Sequence, residues 1–334
     1  MAEIKRRRGD RRDGYLLRDP DGLHFIMNII FGDRTDNEAY ISESIDLTAM
    51  NEYLAKQNVE GIDFKYTFFH VIVAAILKTI YLRPKMNRFI KNENMYQRYD
   101  ISVSFMVKKQ FDDEGSEGTA FIKAAEGDTI FTIHDKIKDI VLKERGSLQK
   151  PADADASSAQ TGASGDGTAA SKAANGTKAA NGTEAANGTE AAMDFFANKM
   201  PKFISKSLVH GIMWLDEHGM APESMISDDP YQATVIISNL GSIKLKSGYH
   251  HLSNWGTNSV FCIIGEKEER PVYNESGIEV MHEFLDLGLT VDERLADGYY
   301  YSRSVRLLKY LCEHPEELEK PIENKDALQI IEEK

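Results

Sequence analysis

Apolar positions recur along the chain in two rhythms, and the rhythm changes mark the elements. From Thr67 to Tyr81 (TFFHVIVAAILKTIY) apolar residues cover nearly the whole circumference of a helix, which predicts a buried helix stopped at Arg83-Pro84. Thr129 to Arg145 carries Ile133, Ile137, Ile140 and Val141 on one face, the stripe of an amphipathic helix, and Leu47 to Lys56 reads as a shorter one. Met193 to His218 predicts one or two helices with Phe195, Phe196, Phe203, Ile204, Leu208, Ile212 and Leu215 as the apolar stripe. The two-residue rhythm of strands appears at Glu38 to Leu47 and Arg98 to Lys108, with a shorter stretch at Thr119 to Lys123. Ala233 to Leu240 (ATVIISNL), Ser259 to Gly265 (SVFCIIG) and Leu285 to Asp292 (LDLGLTVD) read as buried strands, the last followed by a turn at Asp297-Gly298 and a helix from about Tyr300 to Glu313. Strands mixed with helices predict an α/β fold in which a sheet carries flanking helices.

Between Gln149 and Ala192 both rhythms vanish. The segment is almost wholly Ala, Gly, Ser, Thr, Asn and Asp and contains AANGTK, AANGTE, AANGTE from Ala173. It lacks the apolar surface that offsets ordering entropy, so residues 149–192 are expected to be a disordered insert. Such a loop is tolerated because closure entropy grows only logarithmically with length. The elements on its two sides, 15–148 and 193–334, are expected to share one core. Residues 1–14 are basic (Lys5, Arg6, Arg7, Arg8, Arg11, Arg12) and read as an arm, either solvated or clasping a neighbouring subunit, with an acidic partner as the alternative.

Composition narrows the partners. The formal net charge of −13 over 334 residues opposes binding to phosphate backbones and anionic membrane surfaces, so neither nucleic acid nor membrane is expected as a partner. Cys262 and Cys312 lie in apolar stretches without metal-ligand spacing and are expected as buried thiols with no metal site. No apolar secretory core follows the basic start and no run long enough to span a bilayer occurs, which favours a cytoplasmic protein.

Three stretches carry chemistry. Asp292-Glu293-Arg294-Leu295-Ala296-Asp297-Gly298 ends a strand and opens a helix; Ile237-Ser238-Asn239-Leu240-Gly241 ends another strand; Arg83 to Asn87 and Tyr99 to Val103 surround the end of the buried helix. In this order and spacing they resemble the CoA-dependent acyltransferase superfamily, the catalytic domain of the 2-oxoacid dehydrogenase acyltransferases with its chloramphenicol acetyltransferase-like relatives. That family ends a strand in Asp-His-Arg-x-x-Asp-Gly or His-His-x-x-x-Asp-Gly, and every fixed position is matched here except the histidine, which is Glu293. The likeness spans roughly residues 15 to 145 and 193 to 315. No lipoyl-carrying or subunit-binding module precedes it in this sequence, so a stand-alone protein is expected rather than a multienzyme core component.

The resemblance implies a mixed sheet with flanking helices, a homotrimer with active sites between subunits, coenzyme A or acyl-CoA as substrate, and transfer to a thiol or hydroxyl acceptor. It also implies that Ser238 donates a hydrogen bond to the oxyanion, that Asp297 is structural and paired with an arginine, for which Arg34 is a candidate, and that position 293 holds the general base. A glutamate of ordinary pKa near 4.3 is a poor proton acceptor for a thiol near 8.5, and burial is what would raise its basicity. Glu293 therefore marks either an unusual base or polar tunnel residue in a working enzyme, or a fold that has given up catalysis for binding, scaffolding or regulation of an intact homologue. Other histidines do not fill the motif: His70 reads as a core residue, His250 and His251 as loop packing without an Asp-Gly at the required spacing, and His282 has no better spacing.

Overall fold

The computed structural model describes residues 6–19, 21–108, 117–146, 201–222, 229–273 and 275–333. The insert expected at 149–192 lies outside them. Nine strands are described: β1 (Gly14–Leu16), β2 (Glu38–Asp46), β3 (Arg88–Lys91), β4 (Asn94–Arg98), β5 (Ser102–Lys108), β6 (Glu117–Lys123), β7 (Val235–Asn239), β8 (Val260–Tyr273) and β9 (Glu279–Asp292). The described α-helices are α1 (Gly22–Ile30), α2 (Thr48–Gln57), α3 (Phe68–Leu82), α4 (Ile130–Gly146), α5 (Lys202–Glu217), α6 (Gly298–Glu313) and α7 (Asp326–Glu333).

A six-stranded mixed sheet runs β2-β9-β8-β7-β5-β6, and a small sheet runs β1-β4-β3. The parallel strands β5, β7 and β8 are central and the antiparallel strands lie outside them. β7, with helices on one side and a covering loop on the other, shows the continuous apolar run that doubly covered strands require. Strands from both sides of the insert thus interleave in one sheet. This is the α/β arrangement of a sheet with flanking helices that the rhythm predicted, with the mixed strand directions that the resemblance implied.

Side-chain alternation gives the sheet two faces. One presents Val235, Ile237, Val260, Cys262, Ile264, Leu285, Leu287, Leu289 and Val291 to α3 and α6 in the main core. Each fully buried aliphatic side chain there contributes about 2 kcal/mol. α3 is buried nearly all round, as its unbroken apolar sequence demands, and Pro84 follows its last turn. The opposite face carries Ile236, Phe261 and Ile263, which pack with Leu252 and Leu240 of the segment after β7. Two glycines let that segment lie flat on the strands: a Cβ on Gly265 would overlap Ser247, and one on Gly288 would overlap the Gly248 carbonyl.

The basic segment expected as an arm over residues 1–14 is packed on its own chain from Arg11 onward. The Arg11 guanidinium pairs with Asp13 at 2.9 Å, donates to the Asp216 carbonyl at 2.7 Å near the end of α5, and lies over the rings of Phe89 and Tyr96. A cation at a helix carboxyl end meets the negative pole of the helix, which is why this arginine is buried while Arg7 and Arg8 stay exposed. Cys262 and Cys312 are free and buried, and burial pushes the Cys262 thiol up to about 12. Among the described residues no helix is long and apolar enough to cross a membrane.

Candidate functional site

β9 delivers the chain to Asp292, and the next five residues turn into α6. The turn is held by a bidentate ion pair in which Arg294 Nε and Nη2 donate to the Asp292 carboxylate at 2.9 and 2.7 Å, both side chains being almost fully buried. Arg294 Nη1 also donates to the Phe31 carbonyl at 2.8 Å, tying the turn to the end of α1. The Tyr301 hydroxyl donates to the Asp292 carbonyl at 2.8 Å; burial, with Asp292 beside it, pushes this phenol well up and keeps it a donor. Leu295 and Ala296 are buried beneath the turn. The one side chain left pointing away before Asp297 is Glu293: its backbone N–H donates to Asn37 O at 3.0 Å, its carboxylate is exposed, and no described residue bonds to it.

Asp297 is the N-cap of α6, its carboxylate accepting the Tyr300 N–H at 2.7 Å. The expected pairing of Asp297 with Arg34 is not present. Arg34 is buried elsewhere, donating to the Asn258 carbonyl, and burial, with Arg294 also nearby, pushes its guanidinium down against the pull of Asp292. The arginine that steadies the motif is Arg294, and the aspartate it holds is Asp292. An Asp-x-Arg pair two residues apart at a strand end was visible in the sequence, but which arginine reaches which carboxylate depends on where the turn folds back.

Ser238 stands at the carboxyl end of β7, half-buried, on the sheet face opposite the helices. Local turn bonding is done by its neighbours: Asn239 Oδ1 accepts the Ser242 N–H and the Ser242 hydroxyl donates to Asn239 O. No described group bonds to the Ser238 hydroxyl. By register Ser238 is level with Ile263 and Gly288, five residues short of Glu293 and two strands away. At about 3.3 Å per residue and 4.8 Å per strand the two positions are roughly 19 Å apart within one chain. The structure therefore places Ser238 and Glu293 at opposite ends of the sheet and does not bring them together in one chain.

The segment after β7 runs between those two ends. It passes Gly265 and Gly288, stacks the His250 ring on Phe261 with centroids 4.4 Å apart, and sets His251 against Glu38 of β2. Glu38 is the register partner of Asp292. His282 lies remote from the motif turn, bonded to Asp46 at 2.7 Å, and His70 is in the core.

An open groove of about 480 Å³ borders the motif turn, lined by Asn28, Arg34, Lys91, Trp214, Asp216 and Arg294 among others. Its floor is a buried ion pair, Lys91 Nζ to Asp216 at 2.5 Å. A separate cavity of about 20 Å³ beside Cys262 lies inside the core, is lined mainly by apolar side chains, and is far too small for a substrate. Among the described residues no group of three or more His, Cys, Asp or Glu side chains is placed to hold a metal ion.

The sequence matches the 2-oxoacid dehydrogenases acyltransferase (catalytic domain) family over residues 33–161 and 221–319. The structure is similar to that of a probable dihydrolipoamide acetyltransferase from Listeria monocytogenes, with TM-score 0.50, 13% identity, and 89% of this chain and 93% of that chain covered. It is similar also to the cubic core of a pyruvate dehydrogenase multienzyme complex, with TM-score 0.51, 12% identity, and coverage of 89% and 88%. The dihydrolipoamide acetyltransferase of Azotobacter vinelandii gives TM-score 0.51 and 13% identity, again covering 89% and 88%. A search of curated proteins finds no match.

Proposed function

Because this chain belongs to the 2-oxoacid dehydrogenase acyltransferase catalytic-domain family, we propose that it transfers an acyl group between coenzyme A and a small thiol or hydroxyl acceptor in a homotrimer. The observation that carries this reading is the Ser238 hydroxyl, unbonded by any described residue and on the same sheet face as the cross-strand pair beside the clamped Glu293 turn, but at the other end of that face. A head-to-tail contact that closes as a ring of three brings unlike ends of neighbouring subunits together, so a site that needs both ends is completed between chains. Exposed apolar side chains on this face, Tyr40, Ile243, Leu245 and Tyr249, supply surface for such a contact. The groove beside the turn gives a ligand access to it.

In this site Ser238 donates to the oxyanion that forms when the acceptor adds to the thioester carbonyl. Asp292, Arg294 and Asp297 fix the turn that presents position 293. Glu293 is exposed within one chain, so the desolvation that makes a carboxylate a competent base has to come from a neighbouring subunit. That carboxylate in place of an imidazole favours a second reading, a non-catalytic trimeric binding or scaffold protein or a regulatory partner of an intact homologue. Two measurements separate them. Acetyl-CoA and longer acyl-CoAs are expected to raise the melting temperature, and acyl transfer to a small dithiol is expected to fall about a hundredfold in Ser238→Ala, the scale of losing one oxyanion donor. Binding without transfer, in the native protein and in Glu293→His alike, assigns the binding or scaffold role instead.

A further inference from the structure

Position 293 lacks an imidazole, yet the structure supplies one a single strand away. Glu38 opens β2 directly across from Asp292, the residue before Glu293, and its side chain is on the face that also carries Ser238. The carboxylate is only 1% exposed and is fully engaged: it accepts from the Leu252 N–H at 2.6 Å, the Tyr40 hydroxyl at 2.6 Å and His251 Nδ1 at 2.9 Å. A carboxylate that accepts the hydrogen bond of Nδ1–H fixes the ring orientation and leaves Nε2 bare as a base, the division of labour seen in carboxylate–histidine pairs of acyl-transfer sites. Nε2 of His251 meets no described hydrogen-bond partner, and the side chain is 75% exposed at the rim of the sheet face. Such a ring is available to a substrate or to a neighbouring subunit.

We propose that His251, oriented by Glu38, is the general base of the transferase, taking over the chemistry that the motif histidine performs elsewhere in the family. The inference rests on the acyl-transfer reading. In the step, His251 Nε2 removes the proton from the acceptor thiol or hydroxyl as its sulfur or oxygen bonds to the thioester carbonyl carbon of acyl-CoA. The tetrahedral oxyanion then collapses, the bond from carbon to the CoA sulfur breaks, and the imidazolium returns the proton to the departing thiolate, giving the acylated acceptor and free CoA. Glu38 and Tyr40 are positioning residues. Glu293 becomes a polar neighbour of the acceptor.

Burial pushes the Glu38 carboxyl up, but the bonds from Tyr40, His251 and the Leu252 N–H outweigh it and hold the group below the usual carboxylate range, so it stays an anion beside the imidazolium. Of the charged or titratable groups, Glu38 of β2 bonds His251 and shares its carboxylate with Tyr40, His250 is its chain neighbour and bonds its carbonyl, and Asp292 of β9 is the register partner of Glu38.

The test follows transfer from acetyl-CoA to a small dithiol in the full-length protein. His251→Ala is expected to lower kcat a hundredfold or more with KM for acetyl-CoA within about twofold, to change the pH profile of kcat, and to recover with added imidazole. His251→Gln tests the same loss with the ring volume better preserved, and an unchanged melting temperature shows that folding is not the cause. Glu38→Gln is expected to reduce kcat tenfold or more and shift the pH profile. Wild-type turnover that survives both His251 substitutions with its pH profile intact overturns the assignment while leaving acyl transfer standing, and a loss on Glu293→Gln would then place the base there. Absence of transfer by the wild type with acyl-CoAs that bind overturns both.

Discussion

His70 is a residue whose surroundings set its charge. It sits at the start of α3, buried, against His134 and the rings of Phe64 and Tyr66, and its Nδ1 accepts the Thr67 N–H at 3.0 Å. Burial, with His134 adding to it, pushes its pKa down to about 4. The unfolded chain takes a proton near 6.5 and the folded chain does not until about pH 4, so stability is full above pH 6.5 and falls as pH drops between those values. The loss levels off at about 3 kcal/mol. Urea denaturation at several pH values is expected to show this slope in the native protein and a flatter one in His70→Gln. The sequence identified His70 as a core residue because it lies on a helix apolar all round. It singled out Ser238 and Glu293 as candidates because strand-end motifs survive as linear strings. It did not pair Arg294 with Asp292 or His251 with Glu38, because those partners are chosen by a tight turn and by strand register, neither of which is a spacing in the chain.

The segment between Leu240 and Leu252 depends on the absence of side chains beneath it. Gly288→Ala would drive a methyl group into the Gly248 carbonyl, which is backbone and cannot rotate away. The expected cost is about 1–3 kcal/mol, read as a lower melting temperature, together with a loss of transfer as His251 moves off Glu38. An unaltered melting temperature would mean that the segment is free to lift. α3, α4, β5, β7 and α6 were legible because each buries a face whose rhythm matches its period. The outer half of β8 was not: its charged residues and Pro271 carry no buried-strand signal beyond Gly265, and it is a strand because it pairs only with β9 in a two-stranded extension. The β3–β4 hairpin turns on Asn92 and Glu93, both with positive φ, a turn that carries no Asn-Gly signal. α1 turns His24 and Asn28 inward and exposes Leu23, Phe25, Ile26, Ile29 and Ile30, the reverse of the usual pattern, so its period points to no core-facing side.

For the whole molecule the proposal expects sedimentation at about three times the 37.6 kDa chain mass. Replacing residues 149–192 with a short Gly-Ser bridge should leave both the assembly and the melting temperature nearly unchanged, since the removed sequence has almost no apolar surface to bury. Analytical ultracentrifugation and calorimetry of the shortened chain check both, and a monomer at micromolar concentration would remove the shared-site arrangement. The strand order has a further consequence, for the making of the protein. β2 takes its ladder bonds from β9 alone, and Glu38 meets Asp292. At 5–20 residues per second a ribosome needs roughly 13–50 s to deliver the second after the first. Throughout that interval the nascent chain carries an unpaired strand, so protection of that edge until Asp292 emerges, rather than the rate of pairing afterwards, sets how much of the protein reaches its fold.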